Sequence, residues 1–282
     1  MSRVLLIVNL QKAHARTLGE EIAGCLAGRG NEVTAYTYNG KAGPMEKGPF
    51  DLAISLGGDG TVLFAARSMA PLGIPILPVN AGTLGFIAAV QGAEWLSVYE
   101  QWEAGKAPLS GRAMLELEVR RRGKTIVTTV CLNDTVISAS GIAKLISLHV
   151  SGETIRPGHY RSDGLIVATP TGSTAYAAAA GGPILDPEME AVIINPICSF
   201  SLSARPMVVP MDETISVEIG KEQRSGVLLT VDGQIVEPLE PEDVVYLRKA
   251  PYKTCLVASD REVFYRVLRT KLNWSPGGSV HA

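Results

Sequence analysis

The sequence predicts an N-terminal α/β domain followed by a C-terminal β-sandwich domain, with the final helix packing back on the first domain. Three observations support this prediction. Strand-like apolar runs alternate with helical patterns up to about residue 108, apolar residues then recur at every second position from Ala113, and the last periodic segment is helical again. We therefore expect one domain over 1–108, completed by 259–282, and a second domain over 109–258.

The first domain is predicted from short buried strands that alternate with amphipathic helices. The strands are residues 4–8, 33–38 and 52–56, and the helices are residues 14–26, 62–69 and 95–103. This alternation is typical of a Rossmann-like parallel sheet with crossover helices. Residues 74–79 form a fourth strand, which Pro75 and Pro78 either confine to an edge of the sheet or shorten.

The second domain is predicted from strands with alternating apolar residues. Residues 113–119 and 126–130 flank a basic stretch, which predicts a hairpin whose arginines at 120–122 lie in a solvated turn. Further short strands are expected near residues 137, 145–150, 165–168, 215–219, 227–231 and 244–247. Many short strands separated by turns are typical of a β-sandwich. The tail 260–274 has one apolar helical face and Asp260 as its N-cap.

Composition and charge favour small-molecule ligands. The chain is 46% hydrophobic and 19% charged with a formal net charge of -2, so no strong field attracts nucleic acid or an acidic membrane. It lacks a run of about 18 apolar residues and a cleavable leader, and we expect a cytoplasmic protein. The cysteines at 25, 131, 198 and 255 are far apart and lack neighbouring histidines, which predicts buried thiols rather than a zinc site.

The segment Gly57-Gly58-Asp59-Gly60-Thr61 directly follows a buried apolar run. It predicts a strand, a tight turn and the start of a helix, with Thr61 as the N-cap. Glycine amides and helix N-termini bind phosphate. A carboxylate at this place either activates a hydroxyl nucleophile or holds a magnesium ion. An ordinary Asp-Gly turn is the alternative, and the flanking glycines favour the functional interpretation.

Three other polar segments stand out. Asn80-Ala81-Gly82-Thr83-Leu84-Gly85-Phe86 follows the fourth strand and is either a ligand-binding loop at the carboxyl end of the sheet or a plain loop. Asn133-Asp134 interrupts a strand, so its side chains need partners such as ribose hydroxyls or backbone groups. Residues 161–176 combine a charged pair, a buried strand and a hydroxyl-rich turn. The hydroxyls that we expect to form an anion or ribose cradle at a helix N-terminus are those of Thr169, Thr171, Ser173 and Thr174.

These segments together resemble the NAD kinase family over most of the chain. The Gly57–Thr61 turn alone is shared with lipid kinases and phosphofructokinases. The segments that distinguish the NAD kinase family are residues 80–86, Asn133-Asp134 and above all Arg161-Ser162-Asp163-Gly164 with residues 169–176. The resemblance implies phosphorylation of the adenosine-ribose 2′-hydroxyl of NAD by ATP or polyphosphate, which yields NADP. It also implies Mg²⁺ or another divalent cation and a homodimer or homotetramer.

The resemblance also assigns residue roles. Asp59 resembles the base that takes the hydroxyl proton, Gly60 lies beside the ligand, and Gly57, Gly58 and Thr61 contact the donor phosphates. Asn133 and Asp134 resemble the pair that holds the ribose and adenine side of NAD. Further NAD contacts are implied at Lys144, Arg161, Asp163, Thr174, Ala175, Tyr176, Ala177, Ala178, Ala179 and Gln234. The resemblance leaves the metal ligands unassigned.

One local departure and two alternatives accompany this interpretation. Where we expect many relatives to carry a histidine before Leu-Ser-x-Arg-Pro, this chain has Cys198-Ser199-Phe200, which affects local nucleotide contacts rather than the reaction. A kinase for another hydroxyl substrate, such as a lipid or sugar, would use the same Asp59 turn. A nucleotide sensor without catalysis would bind NAD but not turn it over. The sequence lacks the Gly-x-x-x-x-Gly-Lys-Ser/Thr phosphate loop, which disfavours a P-loop kinase.

Overall fold

The chain divides into two units in a computed structural model that describes residues 1–40, 43, 45, 48–141, 144–156, 158–201 and 203–273. Unit 1 comprises Met1–Gly111 and the described residues from Thr254 onward, and unit 2 comprises Arg112–Lys253. Unit 1 alternates strands and helices, and unit 2 is mostly β. The predicted fold class, an α/β domain and a β-sandwich domain followed by a final helix, is confirmed.

The first elements in chain order are β1 (Arg3–Asn9), α1 (Ala15–Gly28), β2 (Glu32–Tyr38), β3 (Leu52–Gly57), α2 (Asp59–Met69), β4 (Ile76–Asn80), β5 (Val90–Gln91) and α3 (Trp95–Glu103). Next come β6 (Leu109–Arg121), β7 (Lys124–Cys131), β8 (Asp134–Ala139), β9 (Ile146–Gly152), β10 (Gly158–Ser162), β11 (Gly164–Ala168) and α4 (Tyr176–Ala179). The last are β12 (Ala191–Ile197), β13 (Met207–Pro210), β14 (Ile215–Ile219), β15 (Val227–Val231), β16 (Ile235–Leu239), β17 (Val244–Val257) and α5 (Arg261–Leu272). Two 3₁₀ helices, Ala70–Leu72 and Thr171–Thr174, complete the set.

The sheet of unit 1 is parallel, with the order β2-β1-β3-β4. The prediction that prolines confine β4 to an edge is wrong, because β4 also has partners on its other side. That side is divided: Leu256 pairs with Ile76, and β5 pairs from Val79 onward. Pro78, which has no N–H to donate, lies between these two pairings. The structure agrees with the other predicted effect of the prolines, a shortened strand, because β4 has only five residues.

The final helix of unit 1 begins where the sequence predicts. The Asp260 carboxylate accepts a hydrogen bond from the Val263 N–H at 3.0 Å, which confirms the predicted N-cap. Phe264, Val267 and Leu268 form its buried face. The helix ends at Leu272, and the predicted end at residue 274 lies outside the described residues.

Unit 2 is a sandwich of antiparallel strands. One sheet has the order β13-β12-β11-β8-β15-β16, and the other contains β10-β9-β14-β17, with β6 between β17 and β7. Alternate side chains such as Leu148, Val167, Val217 and Leu229 form its main core. The opposite face of the first sheet packs against a smaller apolar cluster that includes Ala177 of α4. Strands β10, β12, β13 and β16 escape sequence prediction because they are polar or interrupted by proline.

The described cysteines and histidines differ in burial and in their contacts. Only Cys131 is fully buried, and Cys198 is exposed, so the prediction of four buried thiols is wrong for Cys198. His159 shares a 2.7 Å hydrogen bond with the Ser147 hydroxyl on the surface. Within the described ranges, no group of three or more His, Cys, Asp or Glu side chains is placed to hold a metal ion. No helix in the same ranges is long and apolar enough to cross a membrane.

The predicted solvated turn at 120–124 is only partly correct. The two strands are joined by Arg122 and Gly123, which have φ angles of 49° and 76°, as in tight hairpin turns. Arg121 belongs to the strand, and its guanidinium binds Asp243 with an Nε–Oδ1 distance of 2.9 Å and an Nη2–Oδ2 distance of 2.8 Å. The Asp243 side chain is only 1% exposed, so Arg121 compensates a buried carboxylate.

Replacing Arg121 with Met leaves the Asp243 charge buried without its main partner. We expect Arg121→Met to lower the free energy of unfolding by about 3 kcal/mol, the lower end for breaking a buried ion pair, since the arginine keeps some solvent contact. Urea denaturation measures the change. Arg122→Met is the matched control, because its side chain is 89% exposed and its loss should change the stability by less than about 0.5 kcal/mol. Equal stability of the two variants would contradict this role of Arg121.

Candidate functional site

The turn after β3 forms one wall of a cavity of about 330 Å³ within unit 1. It brings together the predicted segment 57–61 and the loop after β4. The lining residues are Asn9, Lys12, Gly57, Gly58, Asp59, Gly60, Thr61, Asn80, Gly82, Thr83, Leu84, Gly85 and Lys271. Because β1, β3 and β4 are parallel, the loops after them meet at one edge of the sheet, where open α/β folds bind ligands.

Helix α2 begins earlier than the sequence predicts. Gly58 is its N-cap in an extended conformation, and Asp59 is its first residue, so the assignment of Thr61 as N-cap is wrong. Thr61 is instead buried, and its hydroxyl accepts a hydrogen bond from the Tyr38 hydroxyl at 3.3 Å. A side chain on Gly57 would overlap Thr61, which explains why that position needs glycine.

The Asp59 carboxylate is held by three consecutive main-chain N–H groups of the loop after β4. Its Oδ2 accepts from Phe86 at 2.9 Å, and its Oδ1 accepts from Ile87 at 3.0 Å and from Ala88 at 2.8 Å. A carboxylate offers about four acceptor sites, so one site, on Oδ2, remains. The side chain is therefore fixed in orientation and still able to take a proton or a further donor.

The loop that holds Asp59 is itself folded by Asn80. The Asn80 side-chain nitrogen donates to the carbonyls of Thr83 at 2.6 Å and Ala88 at 3.0 Å, and its oxygen accepts from Gly82 at 2.6 Å. Asn80 is buried, so the amide consumes its hydrogen-bonding capacity inside the loop. Within the predicted ligand loop 80–86, Asn80 therefore stabilises the fold of the loop itself.

Two cations on the cavity wall were missed by the sequence interpretation. Lys12 lies in the turn after β1, and Lys271 lies in the last turn of α5, where its ammonium is 5.0 Å from the centre of the Phe86 ring. Lys12 follows a predicted strand closely, which was a usable signal. Lys271 is far along the chain from the 57–61 turn, and no local pattern connects the two.

A second cavity, also of about 330 Å³, lies within unit 2 at the start of β8. It brings together four residues that the sequence singled out with five that it did not. The lining residues are Asn133, Asp134, Val136, Ser138, Ala175, Tyr176, Thr230, Asp232 and Gly233. Tyr176 is 47% exposed, so its ring offers a flat apolar surface to a ligand.

Asp232 shapes this second cavity. Its carboxylate accepts from the main-chain N–H groups of Leu132 at 3.2 Å, Asn133 at 2.8 Å and Asp134 at 3.3 Å. The residue has a φ angle of 51°, a left-handed conformation that Asp tolerates better than most residues. The Asp232-Gly233 turn was visible in the sequence, but its carboxylate was not recognised as the partner of the Asn133-Asp134 segment.

Asn133 and Asp134 present unusual chemistry to the cavity. Burial, and then the nearby Asp232 carboxylate, raise the pKa of Asp134 from 3.8 to about 7. A fraction of the Asp134 carboxyl groups is therefore protonated at neutral pH and can donate a hydrogen bond. The side-chain oxygen of Asn133 is buried and has no hydrogen-bond partner among the described residues. A ligand donor would remove the cost of that unpaired atom.

The hydroxyl-rich turn leads into a shorter and less regular helix than the sequence predicts, and its role as an anion or ribose cradle stays a prediction. Residues 171–174 form a 3₁₀ helix, and α4 has only four residues, because Ala175 between them leaves the helical region with φ -99° and ψ -130°. Three of its hydroxyls donate to main-chain carbonyls: Thr169 donates to the carbonyl of Leu132, Ser173 to that of Pro170 and Thr174 to that of Thr171. Of the four, only the Thr171 hydroxyl is buried without a partner among the described residues.

This turn fixes the Asn133 segment in place. The Thr169 hydroxyl donates to the Leu132 carbonyl at 2.5 Å, and the Thr169 N–H donates to the Asn133 carbonyl at 2.8 Å. A side chain on Gly172 would overlap the Asn133 backbone. Residues 169–176, which carry part of the family resemblance, therefore also have a packing role, because they position Asn133 and Asp134.

Comparison with known proteins identifies the family. The model of the ATP-NAD kinase N-terminal domain matches residues 33–107, and the model of the ATP-NAD kinase C-terminal domain matches residues 132–259. An NAD kinase from Treponema denticola is 42% identical, and the alignment covers 99% of each chain. The chain belongs to the NAD kinase family. An NAD kinase from Symbiobacterium thermophilum is 40% identical over 97% of this chain and 99% of its own.

Solved structures share the NAD kinase fold. The crystal structure of yeast NADH kinase complexed with NADH superposes with a TM-score of 0.87 and 24% identity, covering 100% of this chain and 90% of that one. The crystal structure of an NAD kinase from Archaeoglobus fulgidus in complex with ATP has a TM-score of 0.74 and 24% identity, covering 96% and 98%. At this identity the likeness establishes the fold alone.

The other residues that the NAD kinase resemblance assigned lie outside both cavities. Arg161 is exposed and packs over the Phe200 ring at 5.5 Å, which places the local Cys198-Ser199-Phe200 departure beside it. The backbone of Asp163 bonds Ala139 and Ile197. Lys144 and Gln234 are exposed. Thr174 and Ala177–Ala179 flank the wall residues Ala175 and Tyr176 in the sequence, and Ala177 is fully buried in the smaller core.

A side chain at Gly85 would displace the Asp59 carboxylate. The Cβ of Gly85→Ala would overlap Asp59 Oδ1, so the variant must shift the loop or the carboxylate and lose some of the three N–H bonds. We expect the free energy of unfolding to fall by about 2 kcal/mol, the range for hydrogen bonds to a charged group. Gly82→Ala is the control, since its nearest contact would be Asn80 Oδ1 at 3.9 Å. A loss below about 0.5 kcal/mol for both variants would refute the Asp59 constraint.

The raised pKa of Asp134 makes stability depend on pH. The folded carboxyl titrates near 7 and the unfolded one near 3.8, so the folded state binds more protons between these values and stability falls as pH rises through this window. Asp134→Asn removes the titration. Relative to wild type, the variant should gain stability between about pH 4 and pH 8, by at most about 4 kcal/mol at 1.36 kcal/mol per pKa unit. Chemical denaturation at several pH values measures the gain, and a pH-independent difference would contradict the assignment.

Proposed function

We propose that this chain transfers the γ-phosphoryl group of ATP to the adenosine-ribose 2′-hydroxyl of NAD and so forms NADP. The observation that carries the proposal is the full-length match to NAD kinases together with the fixed Asp59 carboxylate in a glycine-lined cavity. The phosphorus–oxygen bond to the leaving ADP breaks, and a bond forms between phosphorus and the 2′-oxygen. The hydroxyl proton passes to Asp59.

Asp59 suits the role of general base for geometric reasons. A secondary hydroxyl is a poor nucleophile at neutral pH, so its proton must be removed as the phosphoryl group transfers. Three main-chain donors hold the carboxylate, and the remaining acceptor site on Oδ2 defines where the hydroxyl must approach. Gly57, Gly58, Gly60 and Thr61 provide backbone close to that place, where the donor phosphates would lie.

The cavity of unit 2 supports the proposal for the NAD side. The unpaired Asn133 oxygen would accept from the amino group of adenine or from a ribose hydroxyl, and the partly protonated Asp134 can donate or accept. Ala175 and Tyr176 would cover one face of the ligand. Lys144, Arg161, Asp163, Thr174, Ala177, Ala178, Ala179 and Gln234 remain proposed NAD contacts that rest on the resemblance.

Magnesium enters this proposal as part of the nucleotide substrate. Among the described residues, Asp59 is the only carboxylate that lines the cavity of unit 1, and three of its acceptor sites are occupied. Protein sites for Mg²⁺ commonly supply one or two carboxylates and leave the remaining coordination to phosphates and water. The residues present therefore fit a Mg²⁺ ion, or another divalent cation, that arrives on the donor phosphates and neutralises their charge.

The surroundings of the reaction complete the proposal. We propose a homodimer or homotetramer, as the resemblance implies, and a cytoplasmic location, as the sequence composition predicts. The outer strands of the six-stranded sheet, β13 and β16, carry the exposed apolar residues Val208 and Val236, with exposed fractions of 45% and 56%. Exposed edges of this kind favour association with another chain.

An NADP-formation assay with NAD, ATP and Mg²⁺ tests the proposal. Wild type should form NADP, and Asp59→Asn should lower turnover by about 10²–10⁴-fold while NAD still binds, because the amide cannot take the proton. Asp51→Asn is the control, since Asp51 pairs with Arg3 away from the cavity and its variant should keep wild-type turnover.

The outcomes separate the alternatives. Near-normal NADP formation by Asp59→Asn would refute the base assignment. NAD binding by calorimetry without turnover of ATP or polyphosphate would favour the sensor, and phosphorylation of a lipid or sugar hydroxyl in place of NAD would favour another kinase. Because an asparagine also presents an N–H₂ group to one of the three main-chain donors, the unfolding free energy of the variant is measured beside its turnover.

A further inference from the structure

Two lysines from distant parts of the sequence line the same cavity as Asp59. Strand β1 lies beside β3, with Val8 paired with Leu56, so the turn that carries Lys12 emerges at the same sheet edge as the Gly57 turn. Lys271 approaches from the C-terminal helix of the same unit. The cavity therefore collects two ammonium groups from segments that share no local sequence pattern.

Carboxylates in the part of the chain that the structure describes do not neutralise these two ammonium groups. In the described ranges, neither Lys12 nor Lys271 takes part in an ion pair. Asp59 is the one acidic residue among the described residues of the cavity wall, and its carboxylate is engaged by main-chain N–H groups. Both lysines are exposed, so their charges are hydrated and available to an anion.

Lys271 is also held at a defined place. Its ammonium lies 5.0 Å from the centre of the Phe86 ring, a distance typical of a cation–π contact. Phe86 donates its main-chain N–H to Asp59. The cation of α5 and the carboxylate of α2 are thus fixed on the same loop residue, one through the ring and one through the backbone.

We propose that Lys12 and Lys271 bind the phosphate chain of the phosphoryl donor and offset the negative charge that Asp59 brings to the site. This inference rests on the proposed phosphoryl transfer and assigns its donor contacts. Charge is spread over the equatorial oxygens of the transferred group in the transition state, so fixed cations beside them lower the barrier. A lysine serves this purpose as a point charge that adapts to a moving phosphate.

The test uses the full chain and charge-removing variants of similar length. Lys12→Met, Lys271→Met and the double variant are compared with Lys106→Met, whose exposed lysine in unit 1 does not line the cavity. Titration calorimetry with inorganic tripolyphosphate and Mg²⁺ measures the affinity for a phosphate chain. Steady-state kinetics measure the KM for ATP, the KM for NAD and kcat.

We expect each single variant to raise the Kd for tripolyphosphate and the KM for ATP about tenfold, which corresponds to about 1.4 kcal/mol. The KM for NAD and the Lys106→Met control should change less than about twofold. Unchanged tripolyphosphate affinity in the double variant would overturn the inference, even if kcat falls. If wild type forms no NADP, the proposed function fails, yet the tripolyphosphate titration still decides whether the two lysines bind phosphate.

Discussion

The Asp59 carboxylate, bound by the N–H groups of Phe86, Ile87 and Ala88, is the interaction on which the cavity of unit 1 depends. It joins the first residue of α2 to the loop after β4, so the two walls of the cavity are fixed relative to each other. Asn80 folds that loop from within, and Gly85 leaves the space that the carboxylate occupies. A residue at the centre of the proposed chemistry is therefore also a structural residue, and the two roles share the same atoms.

Unit 2 uses the same device at its own cavity. Asp232 accepts hydrogen bonds from three consecutive main-chain N–H groups, those of residues 132–134, as Asp59 does for residues 86–88. Three successive N–H groups that converge in a turn form a concave site for an anion, and one carboxylate can satisfy all three. The difference lies in the neighbours. Asp232 stands beside a second buried carboxylate, and this proximity contributes to the raised pKa of Asp134.

Sequence reasoning succeeded where information is local and failed where partners are distant. Continuous apolar runs predicted β1, β3 and β15 closely, and the glycine pattern located the turn that carries Asp59. The role of Asp232 was missed because its N–H partners lie about 100 residues earlier. Lys271 was missed for the same reason. Strand β17 was predicted over four residues and spans fourteen, because Pro251 and outward-facing lysines conceal its continuation.

Hydroxyl residues at two predicted helix starts make tertiary bonds that the sequence does not reveal. A hydroxyl residue before an apolar run predicts an N-cap, but a hydroxyl can also bond to a tertiary partner. The Thr61 hydroxyl accepts from Tyr38 and does not cap α2, whose N-cap is Gly58. The Thr169 hydroxyl donates to the Leu132 carbonyl and also accepts from the Gly172 N–H at 3.2 Å. Each hydroxyl therefore joins two segments of the fold: Thr61 joins α2 to the end of β2, and Thr169 joins the 3₁₀ turn to the bend before β8. The segments that most suggest phosphate binding are thus partly explained by packing. The function that we propose rests on fewer groups: the open acceptor site of Asp59, the Asn133 oxygen that has no partner among the described residues, and the two cavity lysines.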